Sequence, residues 1–250
     1  MTCYGAMTRV LECDFRDNLA GLGGGLEVYL PGQGQASITG CDFETNVGNS
    51  GGAMFFQEVE CTVTDCSSIR NRGCFGGAVF CHEASPVFLR CVSYADTADR
   101  GSAMHCQTNC DPRLVSCTFS HGYGTYDGSL VHVTDNSNPV LENCILAFCA
   151  NGKAVDCTSE DSAPTFRCSD IYANEWGDWT DTIADQLGVE GNISVDPLFC
   201  DPDAGDLRLQ PASPCSGDSS GCGRMGALPV GCARAAPADT GPRTPRRMPM

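Results

Sequence analysis

The chain has 250 residues, of which 42% are hydrophobic, and carries 31 acidic against 15 basic groups for a net charge of −16. That length fits one sizeable domain or two small ones. The charge would repel a phosphate backbone, which argues against nucleic acid as a partner and leaves Ca2+ or a neutral ligand compatible. No apolar run reaches the ~18 residues that would suggest a membrane span.

From the N-terminus, Met-Thr-Cys-Tyr-Gly-Ala lacks the basic and apolar regions of a secretory leader. A repeat is under way by Val10, so a fragment of a longer protein is expected. Its strongest column is Cys13, Cys41, Cys66, Cys91, Cys117, Cys144 and Cys168, at spacings of 28, 25, 25, 26, 27 and 24. Three residues before these stand Val10, Ile38, Val63, Phe88, Leu114, Leu141 and Thr165, all apolar but the last. Asn18, Asn46, Asn71 and Asp96 follow their cysteines by five positions. Side chains of this type can stack in a turn and satisfy backbone groups there.

A glycine column follows: Gly23-Gly24, Gly51-Gly52 and Gly76-Gly77, continued by Gly101-Ser102, Gly128-Ser129 and Gly152-Lys153. Beyond it, Leu26, Met54, Val79, Met104, Val131 and Val155 are apolar, as are Val28, Phe56, Cys81, Cys106, Val133 and Cys157 two positions later. Between them the residue varies: Glu27, Phe55, Phe80, His105, His132, Asp156. Period two marks a strand with one buried face. A coil of ~25 residues cannot bury such a face alone, but stacked coils pair each strand with its equivalent above and below. The expectation is an all-β, right-handed parallel β-helix of about seven coils over 1–179.

From Trp179 the period is lost. Residues 180–232 are expected to cap the solenoid end, where unpaired edge and apolar core need covering. Trp176 and Trp179 suit that role, and Leu207/Leu209 read as one more strand. The segment 233–250, rich in Ala, Pro and Arg, is expected to be disordered; Arg243, Arg246 and Arg247 lie in it.

The chain has 19 cysteines and no Cys-x-x-Cys pair. The close pairs Cys61/Cys66, Cys106/Cys110 and Cys144/Cys149 do not form a zinc-type ligand set. Cysteine at this density points to an extracellular setting with some disulfides. Cys200/Cys215 and Cys222/Cys232 are plausible staples, although sequence alone leaves connectivity open. The stacked column itself reads as core filling, because free cysteine packs as a small hydrophobe.

The apolar-x-x-Cys unit, and the unit Gly76-Gly-Ala-Val-Phe-Cys81, resemble the right-handed parallel β-helix repeats of the pectate-lyase-like superfamily. The segment Asp196-Pro-Leu-Phe-Cys-Asp-Pro202, with Gly205-Asp-Leu-Arg-Leu209 and Ser213-Pro-Cys215, resembles the ends of β-helix regions in secreted or surface bacterial proteins. The resemblance implies lyases, hydrolases, adhesin-like proteins or members without activity. Lyases of this kind use clustered acids for Ca2+ with an Arg or Lys base. No matching cluster is evident, so no catalytic residue is carried over.

The candidate site is the outward column. Phe55 and Phe80 would offer an aromatic platform to a sugar ring. His105, His132 and Asp156 would serve as acid, base and orienting group, or bind a metal. The plainer reading is an outer ladder of cross-strand pairs worth ~0.2–1 kcal/mol each. The turn with Asp96, Asp99 and Arg100, and the turn with His121, Tyr123 and Tyr126, are secondary candidates. The function expected is a non-catalytic secreted or cell-surface module contacting carbohydrate or serving as an adhesive or stalk. The alternative is a polysaccharide lyase or hydrolase. No resident cofactor is expected.

Overall fold

A computed structural model describes residues 1–4, 8–31, 35–126, 128–217 and 221–232. The segment expected to be disordered, with Arg243, Arg246 and Arg247, lies outside these residues. Three parallel sheets of seven strands each wrap the core. The first holds Thr2–Tyr4, Leu26–Tyr29, Met54–Gln57, Val79–His82, Met104–Gln107, Ser129–Thr134 and Lys153–Cys157. The second holds Thr8–Leu11, Gln35–Thr39, Glu60–Thr64, Val87–Leu89, Arg113–Val115, Val140–Glu142 and Thr165–Arg167. The third holds Asp14–Arg16, Asp42–Glu44, Ser67–Ile69, Val92–Tyr94, Thr118–Ser120, Ile145–Ala147 and Asp170–Tyr172. Every strand pairs with its equivalent in the next coil, so each repeat position becomes a ladder running up the rod.

Two ladders show how the coil turns corners. Between the second and third sheets, Glu12, Gly40, Asp65, Arg90, Ser116 and Asn143 adopt positive φ, and the cysteine that follows each one points inward. The Cys41 backbone N–H donates to the Cys66 Sγ at 3.4 Å. The thiols in turn donate to carbonyls two residues back, as Cys66 does to Thr64 at 3.3 Å. Burial pushes the thiols up, Cys41 to about 11, Cys61 to about 12 and Cys117 well above the usual range. They are protonated packing groups, not nucleophiles. At the next corner Asn46 N–H donates to Asn71 Oδ1 at 2.8 Å, and Asn71 N–H to Asp96 Oδ1 at 2.6 Å. The Asn71 amide also donates to the Phe43 carbonyl at 2.9 Å, tying the corner to a strand.

The last rung of the cysteine ladder differs from the sequence reading. Cys144 N–H donates to Ser169 Oγ, and Leu141 pairs with Phe166. Ser169 and Phe166, not Cys168 and Thr165, therefore continue the two columns. Cys168 takes the left-handed corner position, with φ of 49°. Its thiol is thereby free to bond with Cys222.

The C-terminal segment divides into two parts. The short 3-10 helix Asp181–Gln186 closes the end of the rod: Ile183 enters the core, and Trp179 sets its ring against Phe166 at 5.4 Å. Residues 193–232 do something else. Their described parts, 193–217 and 221–232, run as a strap along the outer face of the third sheet, where Phe199, Leu207, Leu209 and Met225 pack with Tyr94, Ile145 and Ala147. The Leu207/Leu209 alternation is a strand, Asp206–Leu209, paired antiparallel with Phe199–Asp201.

The disulfides are Cys168–Cys222 and Cys200–Cys232, which replaces both pairings considered from sequence. Cys215 is buried instead and donates to Asp170 Oδ2 at 3.4 Å. The Cys168–Cys222 bond anchors the strap to the last coil. Replacing Cys222 by Ser is expected to cost about 2–4 kcal/mol. Hydrogen exchange should then accelerate across 193–217 and 221–232 while amides of the first sheet keep their protection. Unchanged exchange in the strap would mean that its apolar contacts alone hold it.

Candidate functional site

The outward column of the first sheet forms one continuous stack. Register places Glu27, Phe55, Phe80, His105, His132 and Asp156 on successive coils. Phe55 and Phe80 lie nearly parallel, with centroids 5.5 Å apart. His105 follows at 5.0 Å from Phe80, and His132 at 4.7 Å from His105. Phe75 reaches across from a neighbouring turn and meets Phe80 and His105 edge-on. The stack then runs into a chain of polar contacts. His132 Nδ1 lies 3.2 Å from Asp156 Oδ2, Lys153 Nζ 3.5 Å from Asp156 Oδ1, and Lys153 donates to Asp181 at 2.8 Å.

The column was expected to face solvent. It points away from the core, yet Phe55 is 4% exposed, Phe80 6%, His105 2% and His132 0%. The ring faces that would form an open sugar platform are occupied by one another, and Phe75 closes the side. Outward direction in a strand follows from period two. Exposure depends on what the adjacent turns lay over the sheet, which period two does not encode.

Burial pushes the His105 pKa well below its usual value, and the nearby His132 and Arg100 act in the same direction. The ring is thus neutral at ordinary pH. The Arg100 backbone faces it, but neither ring nitrogen meets hydrogen-bond geometry with a described partner. Asp156 is held below the usual carboxylate range by His132 and, more weakly, Lys153. Replacing His105 by Phe would extend the aromatic stack and remove two unbonded nitrogens. A gain of about 1 kcal/mol is expected in denaturant unfolding. A loss would show that His105 holds a polar partner in solution.

The secondary candidates have structural roles. Asp96 is a rung of the asparagine ladder, and Asp99 accepts a hydrogen bond from Thr125. His121 bonds Ser120 Oγ through Nδ1 at 2.8 Å, and its ring sits between Tyr94 and Phe148 beneath the strap. Tyr123 and Tyr126 are exposed. Among the described residues no three His, Cys, Asp or Glu side chains are placed to hold a metal ion. No helix of the described residues is long and apolar enough to cross a membrane.

Sequence reasoning missed an open groove of about 560 Å³ on the outer face of the second sheet. Its lining mixes charged, polar and apolar residues, among them Arg9, Gln35, Glu60, Thr62 and Val87, so no single motif announces it.

Ladders shared by three parallel sheets match a repeat family at the level of sequence as well. Residues 2–192 match the family model described as a right-handed β-helix region. The chain belongs to the right-handed β-helix family. No curated protein and no solved structure matches it. For this β-helix the family gives the architecture, and function has to be argued from its own surfaces.

Proposed function

We propose that this β-helix is a non-catalytic module of a secreted or cell-surface protein, a stiff rod whose outer faces contact carbohydrate or another surface ligand. The observation that carries the reading is the closure of the outer column. The side chains with acid–base capacity, His105 and His132, are sealed within a ring stack, where a substrate does not reach them. A general acid or base must come within about 3 Å of the proton it moves.

Other features support the same reading. Burial keeps the ladder thiols protonated, and two disulfides suit an oxidising compartment. Several charged side chains on the rod's flanks pair along the ladder, as Arg90 does with Asp65 and Arg113 with Glu142. These are features of a surface built for rigidity.

The test is to incubate the purified chain with acidic and neutral polysaccharides and follow reducing ends and unsaturated products. No depolymerisation is expected. Cleavage that disappears in His132→Ala or Asp156→Asn would overturn the proposal and place catalysis in the column.

A further inference from the structure

We infer that the strap over the third sheet is a proton-controlled clasp, closed while the Asp170 carboxyl is neutral and lifting from the sheet when that group ionises. The inference goes beyond the proposed role of the rod and does not depend on it.

The clasp shows in one outward ladder of the third sheet. That ladder starts at Asp14 and Asp42, continues through Val92, Thr118 and Ile145, and ends at Asp170. Asp14 and Asp42 are exposed. Under the strap the ladder is neutral: the Ala227 N–H donates to Thr118 Oγ1 at 2.9 Å, and Ile145 packs with Leu207 and Met225. Asp170 breaks that pattern. It is a carboxyl with 0% exposure, held between the sheet and the strap.

Its surroundings favour the neutral form. Oδ1 accepts from the Val195 N–H of the strap at 3.0 Å, and Oδ2 faces the Cys215 thiol of the strap at 3.4 Å. The charged groups that face it are Asp196 on the strap and Asp178 on the turn after the sheet, both acidic. Asp178 is fixed by the N–H groups of Ala173 and Asn174, and Asp196 by that of Leu198. An ionised carboxylate sealed here pays for desolvation and repulsion with one N–H and one weak thiol donor in return. Lifting the strap returns it to water. Burial accordingly pushes its pKa up to about 7, and the two neighbouring carboxylates act in the same direction.

The strap can lift without leaving. It meets the sheet largely through apolar side chains, while Cys168–Cys222 tethers it to the last coil. Lifting would uncover Tyr94, Ile145 and Ala147, an apolar face presented only when Asp170 is charged. Towards the other end of the sheet contact, His121 Nε2 lies 3.8 Å from Asp203 Oδ1, and the Tyr94 hydroxyl donates to the Asp203 carbonyl at 3.0 Å. Burial lowers the His121 pKa against the pull of Asp203, so its protonation weakens closure in the opposite sense, as pH falls below about 6.5.

The sign follows from linkage. In the lifted state Asp170 titrates near 3.9. Between about pH 4 and 7 only the lifted state is ionised, so closure weakens by about tenfold per pH unit and levels off above that range.

The experiment is hydrogen exchange read by mass spectrometry on the whole chain at pH 5, 6 and 7. The variants are Asp170→Asn, Asp170→Thr, which copies the Thr118 rung, and His121→Gln. Circular dichroism confirms folding of each. Comparing variant with wild type at one pH cancels the intrinsic pH dependence of exchange.

The ratio of wild-type to Asp170→Asn exchange in the strap segment Phe199–Leu209 should rise at least tenfold from pH 5 to pH 7, with Asp170→Thr behaving alike and amides of the first sheet unchanged. Binding of an apolar dye should rise with pH in the wild type and not in the Asp170 variants. A ratio independent of pH in both Asp170 variants, or first-sheet amides accelerating in step with the strap, would overturn the clasp. Loss of the rise in His121→Gln would also overturn it, by placing the control at His121.

Discussion

Gly52→Ala is expected to destabilise the rod by about 3 kcal/mol or more, the upper range for overpacking in a rigid interior. For a chain of this size that is a fall of roughly 6–12 °C in Tm. A Cβ at Gly52 would lie 2.1 Å from the Gly77 carbonyl oxygen of the next coil. The obstacle is backbone, fixed by the hydrogen bond from Gly52 N–H to the Gly76 carbonyl at 2.9 Å. It cannot rotate aside as a side chain would. Relief would require two coils to separate, which would strain all three sheets.

The same contact explains the glycine column. Gly51, first of its pair, has φ of 70° and turns the chain; Gly52 lets consecutive coils approach. Further along, Ser102 occupies the position of Gly52, and its Oγ donates to the Ser129 carbonyl at 3.0 Å. Room for it comes from Gly122, where a Cβ would meet Ser102 Oγ at 2.1 Å. Ser102→Ala should therefore cost only about 1 kcal/mol, the lost hydrogen bond. Thermal unfolding of both variants checks the account. A Gly52→Ala protein with wild-type Tm would mean the coil spacing is softer than the ladders require.

The ladders explain why so much of the fold is legible in sequence. A side chain that stacks on its own equivalent recurs once per coil, and recurrence is visible without coordinates. The inward columns around Leu26 and Val28, the cysteine ladder through Cys144 and the stack of Asn18, Asn46 and Asn71 all follow from that. The reading slips where recurrence does. Cys168 is one residue short of the true rung, Ser169, because a cysteine at the corner imitates the ladder. The strap over the third sheet is not periodic, so its course and its disulfide partners are set by packing against Tyr94 and Ile145. The closed state around Phe80 and His105 depends on Phe75, a turn residue whose ladder neighbours Ser50 and Arg100 are not aromatic, so no recurrence marks it. The groove is open because no described residue lies over it in the same way. Direction is encoded locally, and exposure is a property of the neighbours.

Asp96→Asn is expected to stabilise the protein by up to about 3 kcal/mol near pH 8, with the gain fading below pH 6 and gone near pH 4. Asp96 is fully buried at the position that Asn46 and Asn71 hold in earlier coils. Burial raises its pKa to about 6, despite hydrogen bonds from Ser93 and Asn71 that favour the charged form. An unfolded Asp titrates near 3.9. The folded chain thus holds this proton to a higher pH than the unfolded chain does. Its contribution is fully present below about pH 4 and is lost as pH rises through 6.

Asparagine avoids the charge and fits the existing bonds. Its oxygen would keep the two hydrogen bonds that Asp96 Oδ1 accepts from Asn71, and its amide would face Ser93, as the Asn71 amide faces Ser68 at 2.9 Å. Asp170, raised to about 7 by burial, adds a penalty of the same sign, while the depressed pKa of His105 makes the wild type lose stability below about 6.5. The absolute pH profile therefore mixes opposed effects. The difference between Asp96→Asn and wild type isolates one group, since Asp170 and His105 are common to both. Denaturant unfolding at pH 4, 6 and 8 should give a difference that grows with pH. A difference independent of pH would show that Asp96 is charged throughout the range, and that another cation or solvent reaches the ladder at its fourth rung.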